Sequence, residues 1–188
     1  GYGTVYFAQE MLARKGLSFD GMTVSVSGSG NVAQYAIEKC LDLGAKVVTV
    51  SDSQGCVVDM DGFTREKLAS LMHVKNVQRG RLVDYAKEHG LLFQEGKRPW
   101  HVPVDIALPC ATQNELDGKD AEVLIKNGVR CVAEGANMPS TPAAARSSWA
   151  PAPTTTTRPR SSTPSSSAAS SSPPTRPINP RSRRARSR

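Results

Sequence analysis

Apolar and polar positions follow two alternating patterns along most of the chain. Runs of β-branched residues are typical of strands, and we predict strands over residues 23–27, 47–50, 104–108 and 130–133. Between them, apolar residues recur at helical spacing, which predicts helices over 1–16, 31–43, 64–77, 81–89 and 118–127. On the second helix, Val32, Tyr35, Ala36, Cys40 and Leu43 form the expected apolar stripe. Val57 and Val58 predict a short edge strand, while residues 93–103, with two prolines, are expected to be irregular.

Strands that alternate with helices indicate the α/β class. We predict a Rossmann-like, doubly wound parallel sheet that is truncated and followed by a disordered tail. Such sheets bind ligands beyond the carboxyl ends of their strands. The loops expected there read SGSGN, SDSQ, PCATQN and EGANMP, and all four carry small and amide residues. They predict a binding site at that edge, the alternative being ordinary polar turns.

A glycine-rich turn lies between the first strand and the helix after it. Its sequence, GSGNVA, fits the G-x-G-x-x-A pattern of dinucleotide sites and comprises Gly28, Ser29, Gly30, Asn31, Val32 and Ala33. The first glycine permits the sharp turn, the second lets a pyrophosphate approach the backbone, and the small sixth residue allows close packing. Asp52 ends the next strand, where an acidic residue meets ribose hydroxyls. We predict a nucleotide site, the alternative being a tight turn that needs glycine for packing alone.

Cysteine usage and hydropathy bear on metal binding, membrane contact and cellular compartment. The four cysteines show no C-x-x-C pairing and no histidine cluster, so we expect reduced thiols and no metal site. Asp59, Asp61 and Gly62 lack the EF-hand spacing and are interpreted as a turn. No apolar window reaches the ~20 residues of a membrane helix. We expect a cytoplasmic protein without membrane contacts, an organelle not being excluded, since the chain starts at Gly1 and its true N-terminus is expected to be missing.

Charge and composition change near residue 140. Residues 1–139 hold 15 Lys and Arg against 17 Asp and Glu, whereas residues 140–188 hold nine Arg and no Lys, Asp or Glu. The Ser/Pro/Thr/Arg-rich stretch 142–188 cannot build a core and is predicted to be disordered. We hypothesise a frameshift or a mispredicted exon near residues 140–143, which sequencing of the transcript tests. A minor alternative is nucleic-acid binding through the Arg-rich end.

Six segments of the chain carry a family resemblance. They read GYGTVYFAQEML, GMTVSVSGSGNVAQYAIEK, GAKVVTVSDSQG, FTREKLA, PWHVPVDIALPCATQNEL and NGVRCVAEGANMPST. Over about residues 1–141 the chain resembles the cofactor domain of hexameric NADP-dependent glutamate dehydrogenases of the bacterial and fungal type. The resemblance implies reductive amination of 2-oxoglutarate by ammonia with NADPH, and the reverse, by a homo-hexamer. It also implies that Thr112, Gln113 and Asn137 lie along the nicotinamide half, the alternative being turn and cap hydrogen bonds.

Cofactor choice depends on charges near Asp52. This carboxylate alone favours NAD, because it repels a 2′-phosphate. Ser53 can donate to that phosphate, and Lys75, Arg79 and Arg81 can supply cations, unless they are simply a solvated helix face. Together with the resemblance, these residues predict NADP rather than NAD.

The resemblance also implies what this chain lacks. In the family, the catalytic Lys and Asp and the glutamate-binding residues lie in a separate substrate domain, so we assign no catalytic residue here. We expect a fragment that binds NADPH weakly or not at all and is inactive alone; the alternative is a stand-alone, non-catalytic nucleotide-binding module. A sheet that ends after four strands leaves an unpaired edge, so we also expect a poorly soluble or partly molten product.

Overall fold

A computed structural model describes residues 1–147, with side chains through residue 146, and shows helices and strands in the expected order. The elements are α1 (Tyr2–Ala13), β1 (Thr23–Val26), α2 (Asn31–Asp42), β2 (Lys46–Asp52), β3 (Gly55–Val58), α3 (Arg65–Met72), a π-helical turn (His73–Val77), α4 (Leu82–Glu88), β4 (Leu92–Glu95), a 3₁₀ turn (Pro99–His101), β5 (Ile106–Leu108), α5 (Gly118–Lys126), β6 (Cys131–Val132) and α6 (Pro142–Ser147). Every predicted helix and strand is present.

All six strands join one sheet in the order β4-β3-β2-β1-β5-β6. The strands β2, β1, β5 and β6 are parallel, with Val24 opposite both Val47 and Ile106. The chain moves from β1 to β2 on one side and later enters β5 on the other, so β1 and β5 flank a topological switch point. The predicted doubly wound parallel sheet is confirmed, and an antiparallel pair, β3 and β4, extends it beyond β2.

The prediction for residues 93–103 was wrong at its start. Residues 92–95 form β4, which pairs with β3 and places Phe93 opposite Val57. The strand is half-exposed and lacks a β-branched run, so its backbone hydrogen bonds, not its hydrophobic pattern, define it. Consequently β3 is not an edge strand, and in the part of the chain that is described the sheet ends at β4 and β6.

Helices cover both faces of the sheet. One core joins α1 to α4 with the sheet through residues such as Leu12, Ile37 and Leu71, and a smaller one joins Trp100 and Leu124 to β5. On α2 the buried stripe comprises Ala33, Gln34, Ala36, Ile37 and Cys40. Tyr35, predicted to face inward, is 45% exposed, because the centre of the stripe lies on the neighbouring positions at 3.6-residue spacing.

Regular structure continues past the predicted domain boundary at residue 141. Residues 142–147 form α6, and Ala144 packs in a core cluster with Leu116 and Leu124. The first six residues of the predicted tail are therefore helical. The rest of that tail, including the Arg-rich end, lies outside the described residues.

Candidate nucleotide-binding site

A cavity of about 670 Å³ opens at the carboxyl ends of β1, β2 and β5. Three of the four loops predicted for this edge line it. Among the predicted site residues, those that line the cavity are Gly28, Ser29, Gly30, Asn31, Val32, Asp52, Ser53, Thr112 and Gln113. Ala33 is fully buried beneath it, while Lys75, Arg79, Arg81 and Asn137 are not among the lining residues.

The fold requires a glycine at one of the two glycine positions in the turn after β1 but not at the other. Gly28 has φ +84°, and a Cβ there would lie 3.0 Å from the Cys110 carbonyl oxygen, so the fold itself requires this glycine. Gly30 has φ −86°, which any residue can adopt, and a Cβ there would meet no protein atom within 4 Å. Because packing does not require Gly30, its missing side chain leaves space in the cavity rather than in the core.

The amino end of α2 faces this cavity. Gly30 is its N-cap residue, and in the described part of the chain no side chain hydrogen-bonds to this end. Asn31 and Val32, the first two helical residues, line the cavity. Free N–H groups and the positive end of the helix dipole suit a pyrophosphate at this position.

Asp52, predicted to bind ribose hydroxyls, has partners within the protein. Its Oδ1 accepts a hydrogen bond from the Gln54 amide (2.9 Å), and its Oδ2 accepts one from the amide of Leu82, the first residue of α4 (3.2 Å). The Lys75 Nζ lies 3.8 Å from the same Oδ2. The negative charge that would repel a 2′-phosphate is thus compensated by an ammonium and by a helix amino end.

Arg79 and Arg81 lie in the turn between Lys75 and α4. Both are exposed, and Arg79 adopts a left-handed backbone with φ +52°. Lys75 also donates a hydrogen bond to the Gly80 carbonyl oxygen (3.2 Å), which ties this turn together. The geometry therefore brings Lys75, but neither arginine, next to Asp52 and the cavity rim.

The opposite wall is the loop after β5, with Thr112 and Gln113 exposed to the cavity. Beneath them Glu115, 9% exposed, accepts hydrogen bonds from the amides of Ala111 (2.9 Å) and Thr112 (3.3 Å). Burial raises the pKa of the Glu115 carboxyl, and hydrogen bonds from the Ser27 side chain and these amides oppose that rise. Sequence reasoning missed Glu115, although its place three residues after Thr112 was a signal for a loop-capping acid.

Asn137 belongs to the loop after β6, which packs behind this wall. There the Asn114 amide donates to the Met138 carbonyl oxygen (3.0 Å), and the Gly135 amide donates to the Pro109 carbonyl oxygen (2.8 Å). Asn137 itself is exposed. The fourth predicted loop therefore supports the cavity wall without lining it.

Another part of the wall follows β4 and was also missed. Gly96, Lys97, Arg98 and Pro99 line the cavity, since β4 brings them beside the turn between β2 and β3, where the Gly96 amide donates to the Gln54 carbonyl oxygen. Arg98 pairs with Asp120 at 2.9 Å, and the Lys97 ammonium has no ion pair in the described part of the chain. The available signal was the turn composition of GKRP after a possible strand.

Other classes of site find little support in residues 1–147. No group of three His, Cys, Asp or Glu side chains is placed to hold a metal ion, and all four cysteines are buried and free. Burial raises the pKa of the Cys56 thiol to about 11. None of the described helices combines the length and the apolar character required to cross a membrane.

Comparisons with known proteins agree with this geometry. The model of the Glutamate/Leucine/Phenylalanine/Valine dehydrogenase family matches residues 1–148. The NADP-specific glutamate dehydrogenase of Haemophilus influenzae is 71% identical over 141 residues, which cover 75% of this chain and 31% of that protein. The NAD(P)-specific glutamate dehydrogenase of Xylanibacter ruminicola is 58% identical over 144 residues, covering 77% and 32%. The crystal structure of Plasmodium falciparum glutamate dehydrogenase superposes with a TM-score of 0.75 at 44% identity, covering 77% and 31%.

The matched region contains all six strands and every residue that lines the cavity. The chain spans about a third of the length of the curated relatives described above. Because the family model matches more than half of the chain and the sheet superposes on a solved glutamate dehydrogenase, this protein belongs to the Glutamate/Leucine/Phenylalanine/Valine dehydrogenase family.

Proposed function

We propose that this chain forms the dinucleotide-binding part of an NADP-dependent glutamate dehydrogenase and that its cavity binds NADP(H). The observation that carries the proposal is Gly30, whose Cβ position is open to the cavity and which lies at the uncapped amino end of α2. A pyrophosphate at this point receives backbone N–H groups at close range. In this proposal the cavity residues committed to the cofactor are Gly28, Ser29, Gly30, Asn31, Val32, Asp52, Ser53, Thr112 and Gln113.

The compensation of the Asp52 charge by its neighbours supports a preference for NADP over NAD. The carboxylate is held by two amides and by Lys75, so Ser53 and Lys75 can meet a 2′-phosphate without a free negative charge beside it. Arg79 and Arg81 are exposed in the turn that follows Lys75, so they add positive charge to this region without lining the cavity. The Haemophilus influenzae relative is NADP-specific by name, and the name of the Xylanibacter ruminicola relative, NAD(P)-specific, includes both cofactors.

At the other end of the cavity, Thr112 and Gln113 can orient the nicotinamide ring with neutral hydrogen-bonding groups. Asn137, behind them, completes this half only if its loop moves toward the cavity. NADPH, when bound, supplies a hydride for the reductive amination of 2-oxoglutarate by ammonia. The residues of this chain bind and orient the cofactor, and we assign none of them to proton transfer.

The activity of a complete enzyme, its substrates and its homo-hexameric assembly belong to this proposal as well. By family resemblance, the catalytic Lys and Asp lie in a substrate domain with no counterpart in residues 1–141. We therefore expect weak binding of NADPH and no turnover by the 188-residue chain.

The test is a fluorescence titration of the full chain with NADPH, together with the variant Gly30→Thr. Threonine is tolerated at an N-cap about as well as glycine and would enter the cavity, so we expect thermal stability to be retained and binding to be lost. Equal binding by the variant, or no saturable binding by the wild type at millimolar NADPH, contradicts the proposed site. Turnover of 2-oxoglutarate with ammonium above the blank contradicts the claim that catalysis requires other polypeptide.

A further inference from the structure

A fully buried amide lies between the phosphate loop and the π-helical turn. Gln34, on α2, is 0% exposed. Its Nε2 donates to the Ser29 carbonyl oxygen (2.8 Å) and to the Asn76 Oδ1 (3.2 Å), and its Oε1 accepts from the Asn76 Nδ2 (3.0 Å). A buried amide is costly unless it is hydrogen-bonded, so Gln34 favours one position for both partners.

Asn76 belongs to the π-helical turn His73–Val77, which continues α3. The Gln78 amide donates to the His73 carbonyl oxygen (3.1 Å), five residues back. One extra residue in a turn rotates the following side chains by about 100° relative to an uninterrupted α-helix. The π-helical turn therefore determines where Lys75 and Asn76 point, and such turns occur frequently at functional sites.

Lys75 and Asn76 are neighbours in sequence but support two different loops that line the cavity. Asn76 holds Gln34 and, through it, the carbonyl of Ser29 in the phosphate loop. Lys75 lies against Asp52 at the ribose end (3.8 Å). A displacement of the π-helical turn would therefore move the cation at Asp52 and release the loop at Ser29 together.

We propose that the Gln34–Asn76 amide pair is a positioning pair that couples the phosphate loop to Lys75 and so sets selectivity for a dinucleotide with a 2′-phosphate. This inference rests on the proposed function. Neither amide touches the cavity, since neither is among its lining residues. Their effect on the 2′-phosphate acts through Lys75, whose ammonium is the group placed to meet it.

The test compares NADPH and NADH binding by the full chain in the variants Asn76→Ala, Lys75→Ala and the double variant. Loss of the pair is expected to loosen the phosphate loop for both dinucleotides and also to displace Lys75, so NADPH binding should weaken about fivefold more than NADH binding. In the Lys75→Ala background, Asn76→Ala is expected to weaken NADPH and NADH binding equally, because its selective effect on the 2′-phosphate acts through Lys75. The matched control is Gln78→Ala, an exposed amide two residues away, which should bind like the wild type.

Equal weakening of NADPH and NADH binding by Asn76→Ala alone overturns the positioning role. So does a larger loss of NADPH than of NADH binding when Asn76→Ala is added to Lys75→Ala. Amide hydrogen exchange separates this outcome from failure of the proposed function, since it needs no dinucleotide. We expect Asn76→Ala to speed exchange both in residues 73–77 and at residues 29–30. Faster exchange in the π-helical turn alone would show that the coupling is absent, whether or not the wild type binds NADPH.

Discussion

Gly28, Ala33 and Asp52 show how much of a single residue's role can be predicted from the sequence. The roles of Gly28 in the turn and of Ala33 in packing were predictable, because the G-x-G-x-x-A pattern fixes their positions relative to strand and helix. The environment of Asp52 was not, because its partners Lys75 and Leu82 lie more than 20 residues away in sequence. Glu115 was missed for a related reason, since its importance comes from burial and not from a local pattern.

Glu115 gives a prediction about pH. Burial raises the pKa of this carboxyl, so the neutral acid is favoured more in the folded state than in the unfolded chain. The associated stability is present below the unfolded pKa and is lost as pH rises through the folded pKa. Glu115→Gln keeps an acceptor oxygen for the Ala111 and Thr112 amides and removes this titration. Thermal unfolding at about pH 4.5 and pH 8 should show that the wild type loses stability relative to the variant at the higher pH. Because solvent screens part of the charge, we expect a loss in the free energy of unfolding of at most about 1 kcal/mol. Parallel behaviour of the two proteins would contradict the assignment.

Among whole elements, those with a strong hydrophobic period were predictable and those held by backbone geometry were not. The helix α2 and the strand β2 follow from apolar spacing. The strand β4 has exposed ends and no β-branched run, and the π-helical turn has the sequence pattern of an ordinary helix. Both missed features affect the cavity. The strand β4 places Lys97 and Arg98 in its wall, and the π-helical turn places Lys75 beside Asp52, which lines it.

The pairing of β3 with β4 depends on Gly55. A Cβ at this position would clash with the carbonyl oxygen of Gln94 on β4. Gly55→Ala is therefore expected to destabilise the protein by about 1–3 kcal/mol, as overpacking does. Gly3→Ala, at a helical site with no atom within 4 Å of the added Cβ, is the control and should stabilise slightly. Urea unfolding of both variants measures the difference, and an unchanged midpoint for Gly55→Ala would argue against so close an approach of the two strands.

For the whole molecule, the expected instability has a different structural source from the one inferred from sequence. Within residues 1–147 the sheet has six strands, and its edge strands β4 and β6 are only four and two residues long, so its unpaired edges are short. Instead, α1 and α2 expose Tyr6 (48%), Phe7 (63%) and Tyr35 (45%) on the surface. Tyr2 packs edge-to-face against Tyr6 and Tyr35, which makes these three tyrosine rings one continuous group. An exposed aromatic surface of this kind favours self-association in solution.

Poor solubility therefore remains our expectation for the isolated chain, and Phe7 offers the sharpest test. Phe7→Gln removes the most exposed of these rings and introduces a good helix former. Light scattering and binding of a hydrophobic dye should therefore fall, and the thermal midpoint should not be lower. Leu12→Gln, on the same helix but 1% exposed, is the control and should unfold the protein by burying an unsatisfied amide. If Phe7→Gln associates as much as the wild type, the exposed aromatic surface is not the cause. A wild type that stays monomeric and unfolds in one sharp, reversible transition by circular dichroism would contradict the expectation of a poorly soluble or partly molten chain.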